Sequence, residues 1–370
     1  MQSFDRERPM ILGDFNVILP RFQSTQQETI SWLAKAHEKS QSGLSKIVSR
    51  YVCKPDRVGH RYHALEDFKH TDWQNMRIFK LHESASGAGM QERMKFFSEA
   101  TNEIFLQFYA EEKHPPEEII HVTCTGYVSP SAAQLLVSEK DWGTNTIVTH
   151  AYHMGCYAAI PAIKMAQAAN SRIDIVHTEL CSLHFNPSLR EPEQLVVQGL
   201  FADGFIRYSA FSENEFLQRQ TDGLEVIAIS EEIIPETSGD MTWTIADDSL
   251  RMTLARDISS SIGKHLPAFL NRMCNGDDAS LRKHAIFAIH PGGPKIIDDI
   301  CHALDLRKDQ VRFSEKILFE HGNISSATIP HIWKEIADDD VVPDGQKIIS
   351  LAFGPGLTIA GAILVKRKSS

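Results

Sequence analysis

The feature that most restricts the fold of this chain is a recurring pair: a short β-branched run, then a stretch with helical apolar spacing. Ile119–Thr123, Thr146–His150 and Ile173–Glu179 are such runs, and they read as short, buried strands. Glu225–Ser230, Thr242–Ile245, Ala285–Ile289 and Lys347–Phe353 repeat the pattern later in the chain. Residues 24–54 and 91–112 read as amphipathic helices, Tyr157–Ala169 as an Ala-rich one, and Pro294–Ala303 and Ser325–Ala337 as two more. Alternation of this kind builds α/β layers. The polar stretch Ser212–Gly223 is the best join between two halves, residues 1–222 and 223–370.

Composition narrows the class. With 370 residues, 42% of them hydrophobic, the chain can bury a core without disulfide or metal staples. A net charge of −10 removes any general attraction to nucleic acid or an anionic membrane, although a local basic patch could hold an anionic ligand. The first nine residues mix both signs of charge and lack the apolar centre of a signal peptide. No run approaches the roughly 18–20 apolar residues of a membrane span. Cys53, Cys124, Cys156, Cys181, Cys274 and Cys301 are scattered with no Cys-x-x-Cys pair, which suggests neither a zinc site nor a disulfide framework. The expectation is a cytoplasmic enzyme with reduced thiols.

Three segments combine a strand or loop with an abrupt entry into a helix. In residues 149–161 a β-branched strand reaches Gly155-Cys156 and an Ala-rich helix follows, with Pro161 tolerated in its first turn. Cys156 at a helix start is either a thiolate nucleophile stabilised by unpaired N–H groups or a buried structural cysteine. In residues 287–294 an apolar strand ends on His290, and Pro-Gly-Gly-Pro turns the chain sharply, fixing where the imidazole points. In residues 319–327 Asn323 precedes a helix, as a cap or as a hydrogen-bond donor.

Taken together, a thiol nucleophile beside two neutral donors suits acyl transfer through a thioester. The donors could hold the enolate oxygen left when a malonyl thioester loses carbon dioxide, and His290 could pair with the thiolate. Cys, His, Asn in this order also describes papain-like proteases, and the interval of 134 residues from Cys156 to His290 falls in their range. Their Cys-Gly-Ser-Cys-Trp signature is absent, because His153-Met154-Gly155-Cys156-Tyr157 lacks the leading cysteine.

The blocks Phe-Ala-Ile-His-Pro-Gly-Gly-Pro (287–294), Glu-His-Gly-Asn-Ile-Ser-Ser-Ala (320–327) and Ala-Phe-Gly-Pro-Gly-Leu-Thr (352–358) resemble chalcone synthase-like type III polyketide synthases of the thiolase superfamily. Gly-Cys-Tyr-Ala-Ala (155–159) and Gly-Leu-Phe-Ala-Asp-Gly (199–204) stand in the expected places between, and the likeness runs from about residue 119 to the C-terminus. The resemblance implies an α/β fold with layered αβαβα thiolase architecture, made of two similar halves. The first half would carry Cys156 as acyl carrier; the second would carry His290 and Asn323 as the pair supporting decarboxylation and condensation.

Further roles follow from the same resemblance. Phe201 matches a gatekeeper phenylalanine between a coenzyme A tunnel and the cavity, and Met252 replaces the second. A flexible Met there softens the wall. Cys124, Cys181 and His184 stand where plant enzymes carry threonines, Ser325 keeps the family's serine, and Gly354, Pro355 and Gly356 match a loop shaping the cavity floor. Each also reads as packing or an ordinary turn. Lys46, Arg50 and Lys54, spaced four apart, would share one helix face and meet coenzyme A phosphates, or else be a solvated cationic face. The expected reaction is repeated decarboxylative Claisen condensation of malonyl-CoA onto an acyl-CoA starter, then cyclisation. An alkylpyrone or alkylresorcinol from a fatty acyl starter is the expected product. Neither metal nor redox cofactor is expected; a homodimer is, and an acyl carrier protein is an alternative source of substrate. A single-condensation 3-oxoacyl synthase and a non-catalytic thiolase-fold scaffold remain as the other readings.

Overall fold

The computed structural model describes residues 2–3, 9–43, 45–168 and 171–369. Its strands begin with β1 (Gln2–Ser3), β2 (Met10–Ile18), β3 (Phe22–Thr25) and β4 (His60–His63). Next come β5 (Glu118–Thr123), β6 (Ile147–Tyr152), β7 (Ile173–Leu180) and β8 (Asp203–Ser212). β9 (Gly223–Ile233), β10 (Met241–Ile245), β11 (Leu250–Leu254), β12 (Ile286–Ile289), β13 (Lys347–Gly354) and β14 (Thr358–Arg367) complete the set. The large sheet runs β12-β13-β14-β9-β2-β8-β7-β5-β6, with β1 paired to β9. Strands β5, β6 and β7 are mutually parallel, as are β12 and β13, and the remaining pairs are antiparallel. β2 joins the halves, pairing with β8 on one edge and, through Met10–Leu12, with β9 on the other.

Helices sort into layers by how many faces they bury. Ala159–Met165 and Thr328–Asp338 form the central layer. Ala159 to Ile163 and Thr328 to Trp333 are buried without interruption, as all-round apolar sequence requires. Their side chains share one cluster with Ile175, Tyr208, Leu224 and Ile348 from both halves. Trp333, fully buried, keeps its indole N–H satisfied by donating to Ser350 Oγ at 3.0 Å. The outer helices are amphipathic. Met90–Phe108 and Ala132–Glu139 cover the first half through Phe97, Phe105 and Leu136. Ile258–Met273 and Pro294–Leu304 cover the second through Leu266, Phe269 and Ile297. The result is the αβαβα thiolase architecture. Among the described residues no helix is long and apolar enough to cross a membrane.

Strand expectations hold to within a few residues; two helical ones need correction. Residues 24–54 are not one helix. Gln26–Ser40 ends where Gln41 turns extended, Gly43 takes φ +87°, and a second helix, Ser45–Tyr51, begins after Leu44, which lies outside the described residues. The run Ser40-Gln41-Ser42-Gly43 offers the backbone turn chemistry in place of helix. Tyr157–Ala169 starts instead with a tight turn, Gly155–Tyr157; Ala159–Met165 is α-helical, and Ala166–Ala168 is a closing turn. Ala169 lies outside the described residues.

Candidate active site

Cys156, His290 and Asn323 line one cavity of about 640 Å³. Each is positioned by a different device. Cys156 sits in the tight turn between β6 and the central helix. The backbone gets there through positive φ at His153 (63°) and Gly155 (79°). A side chain on Gly155 would also put its Cβ 2.9 Å from Pro355 Cδ, so glycine is needed for space as well as conformation. His290 extends β12 by one residue, its N–H donating to Leu351 O at 2.8 Å. Asn323 pairs by backbone with the Leu200–Ala202 segment: its N–H donates to Leu200 O (3.0 Å), and Ala202 N–H donates to its carbonyl (2.8 Å).

The amide of Asn323 is oriented by its neighbour. Ser325 N–H donates to Oδ1 at 2.8 Å, while Nδ2 is buried with no hydrogen-bond partner. Both ring nitrogens of His290 are likewise buried and unpartnered. Unspent donors of this kind are costly unless a ligand takes them. Burial depresses the His290 pKa to about 3, so the imidazole is neutral at pH 7.

Desolvation bears directly on the thiolate expected at Cys156. Burial pushes its thiol up to about 12, and the nearby Ser325 hydroxyl and Asn323 amide offset only part of this. The turn carrying Cys156 precedes a helix of only seven residues, and desolvation outweighs what that start can supply. Burial thus opposes charge on the thiol and on the imidazole alike.

Behind Cys156 runs a buried polar chain. Ser325 Oγ lies 3.7 Å from Cys156 Sγ and 2.9 Å from Cys124 Sγ, and Cys124 Sγ is 3.6 Å from Glu179 Oε2. Glu179, fully buried, also accepts from Thr125 Oγ1 at 2.8 Å and from Ser326 Oγ. Desolvation raises its pKa. Cys124 and Ser325 thus touch the polar chain as well as lining a second cavity.

That second, inner cavity has a free volume of about 50 Å³ and shares Cys156, Phe201, Met252, Met241 and Val197 with the larger one. Phe201 and Met252 therefore stand between the two, where a gate was expected. The wall is the β10–β11 hairpin: Trp243 and Met252 are directly opposed, and the period-2 alternation sends Met241, Trp243, Leu250 and Met252 to one face. Cys181, His184 and Pro355 also line the inner cavity. His184 has no free polar atom to offer a ligand: Nε2 donates to Thr125 O (2.7 Å) and Nδ1 accepts from Leu250 N–H (3.1 Å). Gly354 lets Tyr157 pack close, since a Cβ there would fall 2.2 Å from the ring; Gly356 has φ +134°.

Lys46, Arg50 and Lys54 do not themselves line either cavity, although Tyr51 and Cys53 beside them line the larger one. Lys46 and Arg50 are exposed on the short helix, and Lys54 lies beyond its end at Tyr51. The cations lining the larger cavity are Arg256 and Lys295, the latter held by Asp299 Oδ2 (2.6 Å) and Ser259 Oγ (2.5 Å). Lys295 directly follows His290-Pro-Gly-Gly-Pro, which is a legible signal; Arg256 and Trp243 carry none in one dimension.

Residues 225–367 match the family described as "Chalcone and stilbene synthases, C-terminal domain". The chain is 26% identical over 269 residues to 1,3,6,8-tetrahydroxynaphthalene synthase of Streptomyces griseus, covering 70% of each protein. Type III polyketide synthase A of Arabidopsis thaliana is 26% identical over 357 residues, 90% of this chain and 87% of its own. Among solved structures, PKS-I of the brown alga Ectocarpus siliculosus superposes with a TM-score of 0.83 at 18% identity, over 99% of this chain and 100% of that one. The tetrahydroxynaphthalene synthase of Streptomyces coelicolor A3(2) gives 0.80 at 23% identity, over 97% and 100%.

Proposed function

This chain belongs to the chalcone synthase-like type III polyketide synthases, and from that premise we propose that Cys156, His290 and Asn323 carry out decarboxylative condensation of malonyl-CoA onto a Cys156-bound acyl group. The observation that carries the assignment is the set of unspent donors, His290 and Asn323 Nδ2, on the cavity that holds the thiol.

Loading transfers the acyl carbonyl from the coenzyme A sulfur to Cys156 Sγ. Because burial opposes charge on both groups, His290 takes the thiol proton as the S–C bond forms and returns it to the departing coenzyme A thiolate. Malonyl-CoA then loses its carboxylate as carbon dioxide, and the bond's electrons pass to an enolate whose oxygen His290 and Asn323 Nδ2 hold. The enolate carbon attacks the acyl carbon and releases the Cys156 thiolate. The extended chain reloads, and the last one cyclises. Arg256 and Lys295 suit the phosphates of coenzyme A at the outer end of the larger cavity better than Lys46, Arg50 and Lys54 do. No metal or redox group enters any of these steps.

For the starter, the small inner cavity favours a short acyl group and a compact product. Fifty cubic ångströms accommodates a few waters, so an eight-carbon chain needs Trp243 or Met252 to move. An alkylpyrone or alkylresorcinol from a fatty acyl starter stays as the second reading, because Met252 is the flexible member of that wall. A homodimer is part of the proposal, consistent with the free outer edge of β6 and the exposed Ile147 on it.

Asn323→Ala tests the assignment. Product formation from malonyl-CoA is expected to fall about 10²–10³-fold, while mass spectrometry still finds the starter on Cys156 at near wild-type extent. Equal loss of both activities would assign Asn323 to folding. Product mass separates several condensations from the single one of a 3-oxoacyl synthase, and an enzyme that no thioester acylates would be a scaffold.

A further inference from the structure

The inner cavity is apolar along the β10–β11 hairpin, but the strand β4 brings two basic side chains to it, Arg61 and His63. Both are about 1% exposed. Arg61 spends only Nη1, which donates to the carbonyls of Gln198 (2.9 Å) and Phe201 (2.8 Å). Its Nε and Nη2 have no partner, and neither ring nitrogen of His63 has one. Asp203, the carboxylate nearest in charge to Arg61, is already engaged by Ala64 N–H, Ser182 N–H and Ser182 Oγ. Among the described residues, no ion pair to Arg61 forms. A buried guanidinium with only the indirect charge of Asp203 to balance it is unfavourable, and an anion that enters its pocket relieves it.

Resting on the reading above, we propose that Arg61 and His63 form a binding site for a carboxylate or enolate oxygen at the far end of the Cys156-bound chain. The substrates it selects are carboxylate-ended acyl thioesters and poly-β-keto chains, ahead of alkyl ones. The guanidinium offers two free N–H directions matched to a carboxylate, and one His63 nitrogen adds a third donor. Phe68 fixes the His63 ring by stacking at 4.2 Å and 14°, so this donor is preorganised. The volume of about 50 Å³ suits a polar chain end better than a tail.

The test pairs thioesters of equal outline: succinyl-CoA with 4-methylpentanoyl-CoA, and glutaryl-CoA with 5-methylhexanoyl-CoA. The rate of mass gain on Cys156 is read by intact-protein mass spectrometry. Wild type is expected to load the carboxylate member at least tenfold faster in one or both pairs. His63→Leu, which removes no hydrogen bond the chain makes with itself, should keep the melting temperature while lowering that ratio at least threefold. Arg61→Met should erase the ratio; because it also frees two carbonyls it could unfold, and His63→Leu then decides alone. Equal ratios in wild type and His63→Leu would overturn the site and leave water as its occupant. Failure of every thioester to acylate wild type would overturn the polyketide synthase assignment and this site with it.

Discussion

At the scale of single residues, desolvation governs the resting chemistry of Cys156. Its thiol is raised to about 12 and the His290 imidazole lowered to about 3, both by burial. A group whose pKa is raised is protonated over the whole neutral range, and its thiolate fraction grows tenfold per pH unit. Alkylation of Cys156 by iodoacetamide is therefore expected to be slow at pH 7 and to climb through pH 9 without levelling. A plateau with an inflection between pH 5 and 7 would show a resting ion pair instead. The residues that announce themselves in the sequence are those set off by backbone punctuation: Gly155 before Cys156, Pro-Gly-Gly-Pro after His290, Gly322 before Asn323. Arg61, His63 and Trp243 are silent there, because each matters only through a cavity walled by strands some sixty to two hundred positions apart in the chain. The burial of the Cys156 thiol is silent for a related reason, since spacing reports a helix start but not its depth.

At the scale of elements, the site depends on two loops meeting without room to spare. Gly155 and Gly354 both lie where the turn of Cys156 faces the loop after β13. Gly354→Ala is expected to destabilise by about 1–3 kcal/mol through overpacking against Tyr157, seen as a melting temperature a few degrees lower. Pairing it with Tyr157→Ala should recover part of the loss, and strictly additive effects would mean that the two never meet. Strands were legible because β-branched runs between breakers leave little choice. The split helix at residues 41–43 was not, because amphipathic spacing continues on both sides of the break while only Ser40, Ser42 and Gly43 mark it. The early end of the second helix at Tyr51, in turn, leaves Lys54 off its supposed stripe.

At the scale of the whole molecule, the fold is built around neutral histidines. His121, His184, His290 and His331 are held at about 3 by burial, and His63 and His177 well below the usual value. A histidine with a lowered native pKa binds fewer protons folded than unfolded. The stability it protects is thus fully present above about pH 6.5 and falls as pH drops below it, by about 1.4 kcal/mol per unit for each group. Asp203, raised to about 6, works in the opposite sense and offsets one of them. The urea midpoint is expected to drop steeply from pH 7 to pH 5, with net uptake of several protons on unfolding; a flat profile would contradict the buried neutral set. Finally, the backbone bridge between Phe201 and Asn323 ties a residue from each half of the chain into one rigid joint. For an engineer this divides the permissible edits: exchanging the side chain at 201 would reshape only the wall the two cavities share, whereas an insertion or deletion near Leu200–Ala202 would shift the register of Asn323 and displace the amide that the proposed mechanism relies on.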